Sequence, residues 1–500
     1  MENTLALLLS DGYKQVHAEQ FPKNTDMLVS YLTPRKSRLA EGHMVFFGLQ
    51  AFVKKYLIEY FNDNFFALPL EQVVEEYTRV LDVMLGRDNY GLRKVIDLHK
   101  LGYLPIQIYA LPEGERVPMG VPAIEVSNTH PDFAWVVQWV ESLMSSEIWK
   151  SCIHATVGYE YRQIVDRWYD KTVDKYNRLF AISDFGFRGM SCLEEATKAS
   201  AAWLLSFLGT ATIPAIPYLE KYYNCDCTKE PVGFSAVSTE HSVVASNFAV
   251  DGDEKTFLKR MLVEIYPNSN FSFVSDTYDY WNLLNNILPE LKDEIMAHNG
   301  KLLIRPDSGD IIDISVKTIE RLWEIFGGEV NSKGYKVLDS HIGCIYGDGV
   351  TQQRANEIYR QLEEKGFASN NIVFGAGSFS FNCIEEDGKL NPYTRDTYSI
   401  AIKATCGIVD GKYVPIFKDP KTDREAKDGG CGKRSQKGCC IVYPDPMTGE
   451  LSCQDGILDL DQAHDNKLNR LKLMFRDGTL HNETSLQEIR KKLHGEYFRK

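Results

Sequence analysis

The sequence predicts an α/β fold, an α/β barrel accompanied by a second, β-rich domain built from the N- and C-terminal parts of the chain. Two observations carry this reading. From about residue 180 a short apolar run, a polar cluster rich in Gly, Asp, Arg, Ser or His, and a helix-like segment recur in series. Before residue 150 and after about 405, short extended pieces and turns predominate instead. Strands that alternate with helices favour a parallel sheet or barrel.

The apolar runs are FAISDFGFRG (180–189), VGFSAVSTEHS (232–242), FSFVSDTYD (271–279), KLLIRPDSGD (301–310), IGCIYGDGV (342–350) and NIVFGAGS (371–378). Between them Glu194 to Leu208, Glu254 to Tyr266, Ile314 to Ile325 and Thr351 to Lys365 carry apolar residues at helical spacing. In a barrel the loops after the strands gather at one end, so the polar clusters form one candidate site. The Pro- and Gly-rich stretch 103–128 and the strand-and-turn tail, including GKYVPIFKDP (411–420), form the β-rich domain. The expected division is therefore 1–150, 151–404 and 405–500, the first and last segments composing one domain.

Composition narrows the function classes. The formal net charge of -13 argues against broad capture of nucleic acid, which needs a basic face to displace counterions. Leu5 to Leu9 follows Glu2 without a basic segment and does not read as a signal peptide. The apolar stretch Ala199 to Ile216 is broken by Gly209, Thr210, Thr212 and Pro214, which argues against a bilayer span. Of eleven cysteines only Cys225/Cys227 and Cys431/Cys439/Cys440 cluster, without the CxxC spacing of structural zinc, so ordinary reduced thiols in a cytoplasmic protein are expected.

Arg305 and Asp307, on a turn after an apolar strand, offer a guanidinium beside a carboxylate; such a pair holds an anionic substrate and a Mg²⁺ ion or a ribose hydroxyl. Standing alone, such a pair is more often a structural ion pair. Its companions are Asp184 with Arg188, Asp276, Gly347 with Asp348, and Gly375 with Gly377, which add carboxylates, a second arginine and glycine turns that approach phosphate closely. His241, beside Glu240 after another strand, is either a satisfied structural histidine or a proton carrier and phosphate acceptor.

These residues carry a resemblance. SDGYK (10–14), FFGLQ (46–50), DFGFRG (184–189), STEHS (238–242), SDTYD (275–279), IRPDSGD (304–310), GDGV (347–350), TRD (394–396), FKDP (417–420) and FRDGTLHNETSLQEIRKKL (475–493) resemble, in the same order, the nicotinamide phosphoribosyltransferase family. The resemblance implies the type II phosphoribosyltransferase barrel, a head-to-tail homodimer, and formation of nicotinamide mononucleotide and diphosphate from nicotinamide and phosphoribosyl diphosphate on the way to NAD. It implies that Phe185 stacks on the pyridine ring opposite Tyr13 of the partner subunit. Arg188, Asp276, Arg305, Asp307, Gly347, Asp348, Gly375 and Gly377 would line the ribosyl diphosphate site, with Asp276 and Asp307 toward Mg²⁺. Arg35, Arg395 and Lys403 would add positive charge, some of it across the dimer, and Lys418 would reach the diphosphate. His241 would be transiently phosphorylated when ATP stimulates the reaction.

The chain departs from the family in three places. Ala211 stands in Gly209-Thr210-Ala211-Thr212 where nicotinamide-specific members carry an aspartate that accepts the carboxamide N–H. Ser183 replaces a histidine before DFG. The glycine-rich 5′-phosphate loop is here GAGSFSFNCIEEDGKLNPYTRD (375–396), longer and poorer in glycine. This loop is either a surface insertion or the mark of a 5′-substituted donor, such as an ADP-ribose diphosphate that would yield NAD directly. With Ala211 in place nicotinate could also serve as the base. A chain of this kind could even bind a pyridine nucleotide without catalysis, but the joint presence of His241, Asp276, Arg305 and Asp307 argues against a binding protein.

Overall fold

The computed structural model describes residues 4–38, 42–174, 178–425 and 435–495. The chain divides into two compact units: Met1–Ile153, Tyr222–Asn224 and Thr394–Leu493 form one, and His154–Lys221, Cys225–Tyr393 and His494–Lys500 the other. The long helix Val136–Thr172 begins in the first unit and ends in the second. The exchanges at 153/154 and 393/394 compare with 150/151 and 404/405 read from composition.

The second unit is a seven-stranded parallel sheet built from β1 (Ile182–Asp184), β2 (Gly209–Thr210), β3 (Val237–Ser238), β4 (Phe271–Val274), β5 (Leu302–Arg305), β6 (Ile342–Tyr346) and β7 (Ile372–Ala376). The order across the sheet is β2-β1-β7-β6-β5-β4-β3. Every pairing is parallel, as in Leu302↔Ile342 and Leu302↔Phe271. Phe234, just before β3, donates its N–H to Leu208 O (2.7 Å) and accepts from Thr210 N–H (2.8 Å), which links the two edges and curls the sheet into a barrel. Strands β4 and β6 are buried along their whole length, as strands covered on both faces must be.

The connecting helices follow the spacing of their apolar residues. Ile311–Phe326 buries Ile311, Val316, Ile319, Leu322 and Phe326 on one face. It starts where the Asp310 carboxylate accepts from Asp313 N–H (2.8 Å) and stops at Gly327, whose φ of 70° ends the helical path. Gln352–Glu364 starts likewise at Thr351. The segment read as helix from Glu254 runs as Glu254–Arg260, with a wider turn over Met261–Ile265.

The first unit interleaves the two ends of the chain in one sheet, ordered Lys412–Pro415, Ala401–Val409, Thr25–Thr33, Ile124–Asn128, Ile106–Ala110, Lys472–Arg476 and Thr479–Leu480. Thr25–Thr33 pairs antiparallel with Ala401–Val409 on one side and with Ile124–Asn128 on the other. Its core holds Glu125, fully buried, which accepts from Tyr31 Oη (2.5 Å) and pairs with His464 Nε2 (2.6 Å). A carboxylate at 0% exposure has to be partnered, and these partners come from both ends of the chain. This part is less purely extended than its Pro and Gly content suggests: Leu70–Met84 and Leu92–Leu101 are helices. Among the described residues no helix is long and apolar enough to cross a membrane. Cys227, Cys439 and Cys440 are free thiols; Cys431 lies outside the described residues.

Candidate active site

Each parallel strand ends within two or three residues of a candidate: β1 at Phe185, β2 at Ala211, β3 at His241, β4 at Asp276, β5 at Asp307, β6 at Gly347 and Asp348, β7 at Gly377. Phe185, Arg188, Ala211, Arg305, Asp307, Gly347, Asp348 and Gly377 line one cavity of about 850 Å³. The cavity continues to the opposite strand ends, where Asn270, Lys301 and Asn370 line it; burial pushes the Lys301 amine below its usual pKa.

Phe185 forms the aromatic wall. Its N–H donates to Ala376 O (2.8 Å), holding β1 against β7 just where the ring enters. The ring lies over two glycines: a Cβ at 375 would stand 2.2 Å from Phe185 Cδ2, and one at 347 would stand 3.2 Å from Cε2. These positions are glycine because the ring occupies the space of a side chain. Asp184, grouped with Arg188 in the sequence reading, is turned away; its oxygens accept from Gly186 N–H and Thr210 Oγ1, both at 2.7 Å. It shapes the turn.

The charged half of the site centres on Asp276, whose side chain is 5% exposed. Oδ2 accepts from Asp307 N–H (2.9 Å) and Ser308 Oγ (2.5 Å), which ties the loop after β4 to the loop after β5. Tyr346 Oη donates to Ser308 O (3.2 Å) from β6. His241 opens the helix His241–Asp251, with Nδ1 3.1 Å from Thr277 Oγ1 and Nε2 3.8 Å from both Asp276 Oδ1 and Asp307 Oδ2. Arg305 donates Nη2–H to Thr239 O (3.2 Å), while its buried Nε has no hydrogen-bond partner. Asp276 Oδ1 is also buried without one. Unmatched buried polar atoms of opposite character on adjacent strands suit a ligand carrying both phosphate and cation.

Among the described residues no three His, Cys, Asp or Glu side chains stand close enough to enclose a metal ion by themselves. Asp276 and Asp307 still fit Mg²⁺, which typically takes one or two carboxylates and completes its shell with water and substrate phosphate.

The sequence reading missed Glu254. It is 5% exposed, its Oε1 has no hydrogen-bond partner, and burial with the nearby charges of Asp279 and Asp276 raises its pKa to about 7. The available signal was helical spacing, since Glu254 falls on the face that buries Phe257 and Leu258. The altered loop is built structure: Ser378–Asn382 is a helix and Cys383–Glu386 pairs with Lys389–Pro392 as a hairpin. Glu385 anchors the hairpin to Arg354 Nε (3.0 Å) and Thr351 Oγ1 (2.7 Å), next to GDGV.

The remaining candidates belong to the first unit. Tyr13, 57% exposed, and Arg395 line a hollow of about 540 Å³. Arg35 donates Nε–H to Ser399 O (3.0 Å), Lys403 pairs with Glu141 (3.0 Å), and Lys418 is exposed.

Comparison with known proteins places this geometry. The nicotinate phosphoribosyltransferase family profile matches residues 180–476, and that of the nicotinamide phosphoribosyltransferase N-terminal domain matches residues 5–108. A nicotinamide phosphoribosyltransferase of Acinetobacter baylyi is 37% identical over 97% of this chain and 96% of the relative. This chain belongs to the nicotinamide phosphoribosyltransferase family. A second relative of that name, from Xanthomonas campestris pv. campestris, is 30% identical over 97% of each chain. The fold of the family member is shared with a nicotinate-nucleotide pyrophosphorylase of Pyrococcus furiosus (TM-score 0.59, 14% identity, 99% of this chain and 97% of that one). It is shared too with human nicotinic acid phosphoribosyltransferase (TM-score 0.56, 15% identity, 97% and 92%). It is a type II phosphoribosyltransferase barrel, and the chain is a phosphoribosyltransferase.

Two outcomes follow from the site. Gly375→Ala is expected to drive Phe185 from its place and raise the KM for the base about tenfold or more, since a methyl group cannot share that space; a wild-type KM would show that the ring position does not govern base binding. Glu254 takes up a proton in the folded chain at a pH where the unfolded chain has lost it, so its contribution to stability falls as pH rises from about 4.5 to about 7. Glu254→Gln should therefore raise Tm at pH 8 and leave it nearly unchanged at pH 5, and equal shifts at both pH values would contradict this.

Proposed function

We propose that this chain joins nicotinamide to phosphoribosyl diphosphate, forming nicotinamide mononucleotide and diphosphate in NAD salvage. The observation that carries the reading is one cavity whose wall includes both the Phe185 ring, for a flat heterocycle, and Arg305 with Asp307, for a diphosphate with its cation, Asp276 standing behind Asp307 and accepting its N–H. Full-length relatives bearing this name support it.

In the reaction the C1′–O bond to diphosphate breaks, its electron pair leaves with the diphosphate, and the pyridine nitrogen bonds to C1′. Positive character builds on the sugar and negative charge on the leaving group. Arg305, with its buried Nε unmatched, and Arg188 would hold the leaving group. Asp276 and Asp307 would hold Mg²⁺, which when bound supplies charge neutralisation for the diphosphate. Gly347 and Gly377 would let backbone N–H groups approach phosphate, and Asp348 would take ribose hydroxyls. His241, 48% exposed and facing two carboxylates, would accept a phosphoryl group from ATP. Arg35, Arg395 and Lys403 would add positive charge, some of it across a homodimer interface, Lys418 would reach the diphosphate, and Tyr13 of the partner subunit would close the site over the base. A cytoplasmic location agrees with the free thiols.

Ala211 favours a second reading for the base. It lines the cavity without any acceptor for a carboxamide N–H, so nicotinate competes better here than where an aspartate stands. A 5′-substituted sugar donor is the second reading for the 375–396 loop, which folds as a hairpin.

Purified protein with Mg²⁺ should convert nicotinamide and phosphoribosyl diphosphate to the mononucleotide by product mass, faster with ATP. Asp307→Ala should lose roughly a hundredfold to a thousandfold in rate, and His241→Ala should abolish the ATP stimulation. Product formed only from nicotinate would make the acid the substrate, and product formed only from an ADP-ribose diphosphate would make that the donor. Sharing between chains has its own test. Tyr13→Ala, nearly inactive at base concentrations near the wild-type KM, and Asp307→Ala, nearly inactive at any, should on mixing at that base concentration recover about a quarter of wild-type activity, because half the random dimers are mixed and each has one intact site. Exchange of labelled subunits without recovery would place Tyr13 outside the partner's site.

A further inference from the structure

Glu141, on the helix Val136–Thr172, engages two lysines with one carboxylate: Oε2 lies 2.6 Å from Lys14 Nζ and Oε1 3.0 Å from Lys403 Nζ. The three side chains differ in freedom, at 17% exposure for Glu141, 3% for Lys14 and 36% for Lys403. An ammonium as buried as Lys14 needs a counter-ion, so its pairing with Glu141 is not optional, whereas Lys403 can exchange its partner for another anion.

Lys14 directly follows Tyr13, and its Nζ is 5.3 Å from the centre of the Tyr13 ring. The flanking residues are tied to the same helix: Ser10 Oγ donates to Trp139 O (3.1 Å), and Ser142 Oγ donates to Asp11 Oδ2. Gln15, on the other side, donates Nε2–H to Leu7 O (2.8 Å). Within this sewn-down run Tyr13 alone presents a large apolar side chain to solvent, at 57% exposure, and it lines the same hollow as Glu141 and Arg395. Apart from an edge contact with the His17 ring (5.3 Å between centres), the exposed ring contributes little to its own fold. Rigid presentation helps when the ring must meet a ligand at a set angle, because little ordering then remains to be done on binding.

We infer that Glu141 is a positioning residue: through Lys14 it fixes the ring of Tyr13 for stacking on the pyridine base, and through Lys403 it holds a cation in reserve that a donor phosphate draws away. This rests on the proposed assignment of Tyr13 and Lys403 to a substrate site. Removing the charge of Glu141 loosens the mounting without touching the reacting atoms, so the loss falls on binding and not on the chemical step.

The test compares full-length wild type, Tyr13→Ala, Glu141→Gln and the double variant for base KM, kcat and Tm. Glu141→Gln is expected to raise the base KM about tenfold with kcat within about twofold. In the Tyr13→Ala background it should change the base KM by less than about twofold, since the effect passes through a ring no longer present. Should Glu141→Gln fail to fold because Lys14 is left unpaired, Lys14→Met combined with Glu141→Gln removes both charges and carries the same expectation. A raised base KM in Tyr13→Ala with a wild-type value in Glu141→Gln, or additive effects in the double variant, would overturn the role of Glu141 alone. A wild-type base KM in Tyr13→Ala would overturn the assignment of Tyr13 and this inference with it.

Discussion

The catalytic end of the barrel depends on the hydrogen bonds by which one carboxylate, Asp276, holds the loop that follows the neighbouring strand. A parallel sheet aligns strand ends but leaves the loops beyond them to find their own conformation. Here the Asp307 N–H and the Ser308 hydroxyl both reach Asp276 Oδ2, so Asp307 is placed by a residue about thirty positions earlier in the chain. Tyr346 adds a hold from the next strand. The Asp276 and Asp307 carboxylates consequently face the same imidazole at 3.8 Å.

That placement concentrates negative charge before any substrate arrives. Burial first, and then the charges of Asp279 and Asp276, raises the pKa of Glu254, and Arg305 keeps a buried Nε unmatched. Buried polar groups in native proteins are nearly always satisfied, and at these strand ends a bound ligand can complete Arg305 Nε and Asp276 Oδ1. A diphosphate with its divalent cation would be complementary to this arrangement: its oxygens would meet guanidinium and metal, and the metal would meet carboxylate. Preorganised charge of this kind needs no reorganisation during bond breaking, which is where an enzyme of this class gains most of its rate.

The aromatic half obeys a steric rule instead. Phe185 enters between strand ends because residue 375 has no Cβ, the glycine at 347 adding a smaller clearance, and its N–H bond to Ala376 O fixes its height. In the sequence Gly375 reads as a turn residue that lets phosphate approach; in the structure its lack of a side chain makes room for the ring. Both readings share one cause, the need for close approach. Asp184 goes the other way: a carboxylate in a strand-end motif, it is consumed by the Gly186 N–H and the Thr210 hydroxyl.

Much of the barrel was legible because its information is local. Short apolar runs followed by helical periodicity specify strand and helix wherever they occur, and a parallel sheet then forces the polar clusters after the strands to one end. Motifs such as IRPDSGD and STEHS carried the family for the same reason, as contiguous strings. Tertiary structure alone decided the rest. That Glu141 serves Lys14 and Lys403, separated from it by 127 and 262 residues, is set by packing between segments with no sequence relation. The same holds for Glu125, whose partners Tyr31 and His464 come from opposite ends of the chain. The protonation of Glu254 likewise depends on its burial and on which acids the fold brings near it. Side-chain identity and spacing determine which chemistry is available along a segment; which groups meet, and which are left unpaired for a ligand, follows from distances that only the folded chain defines.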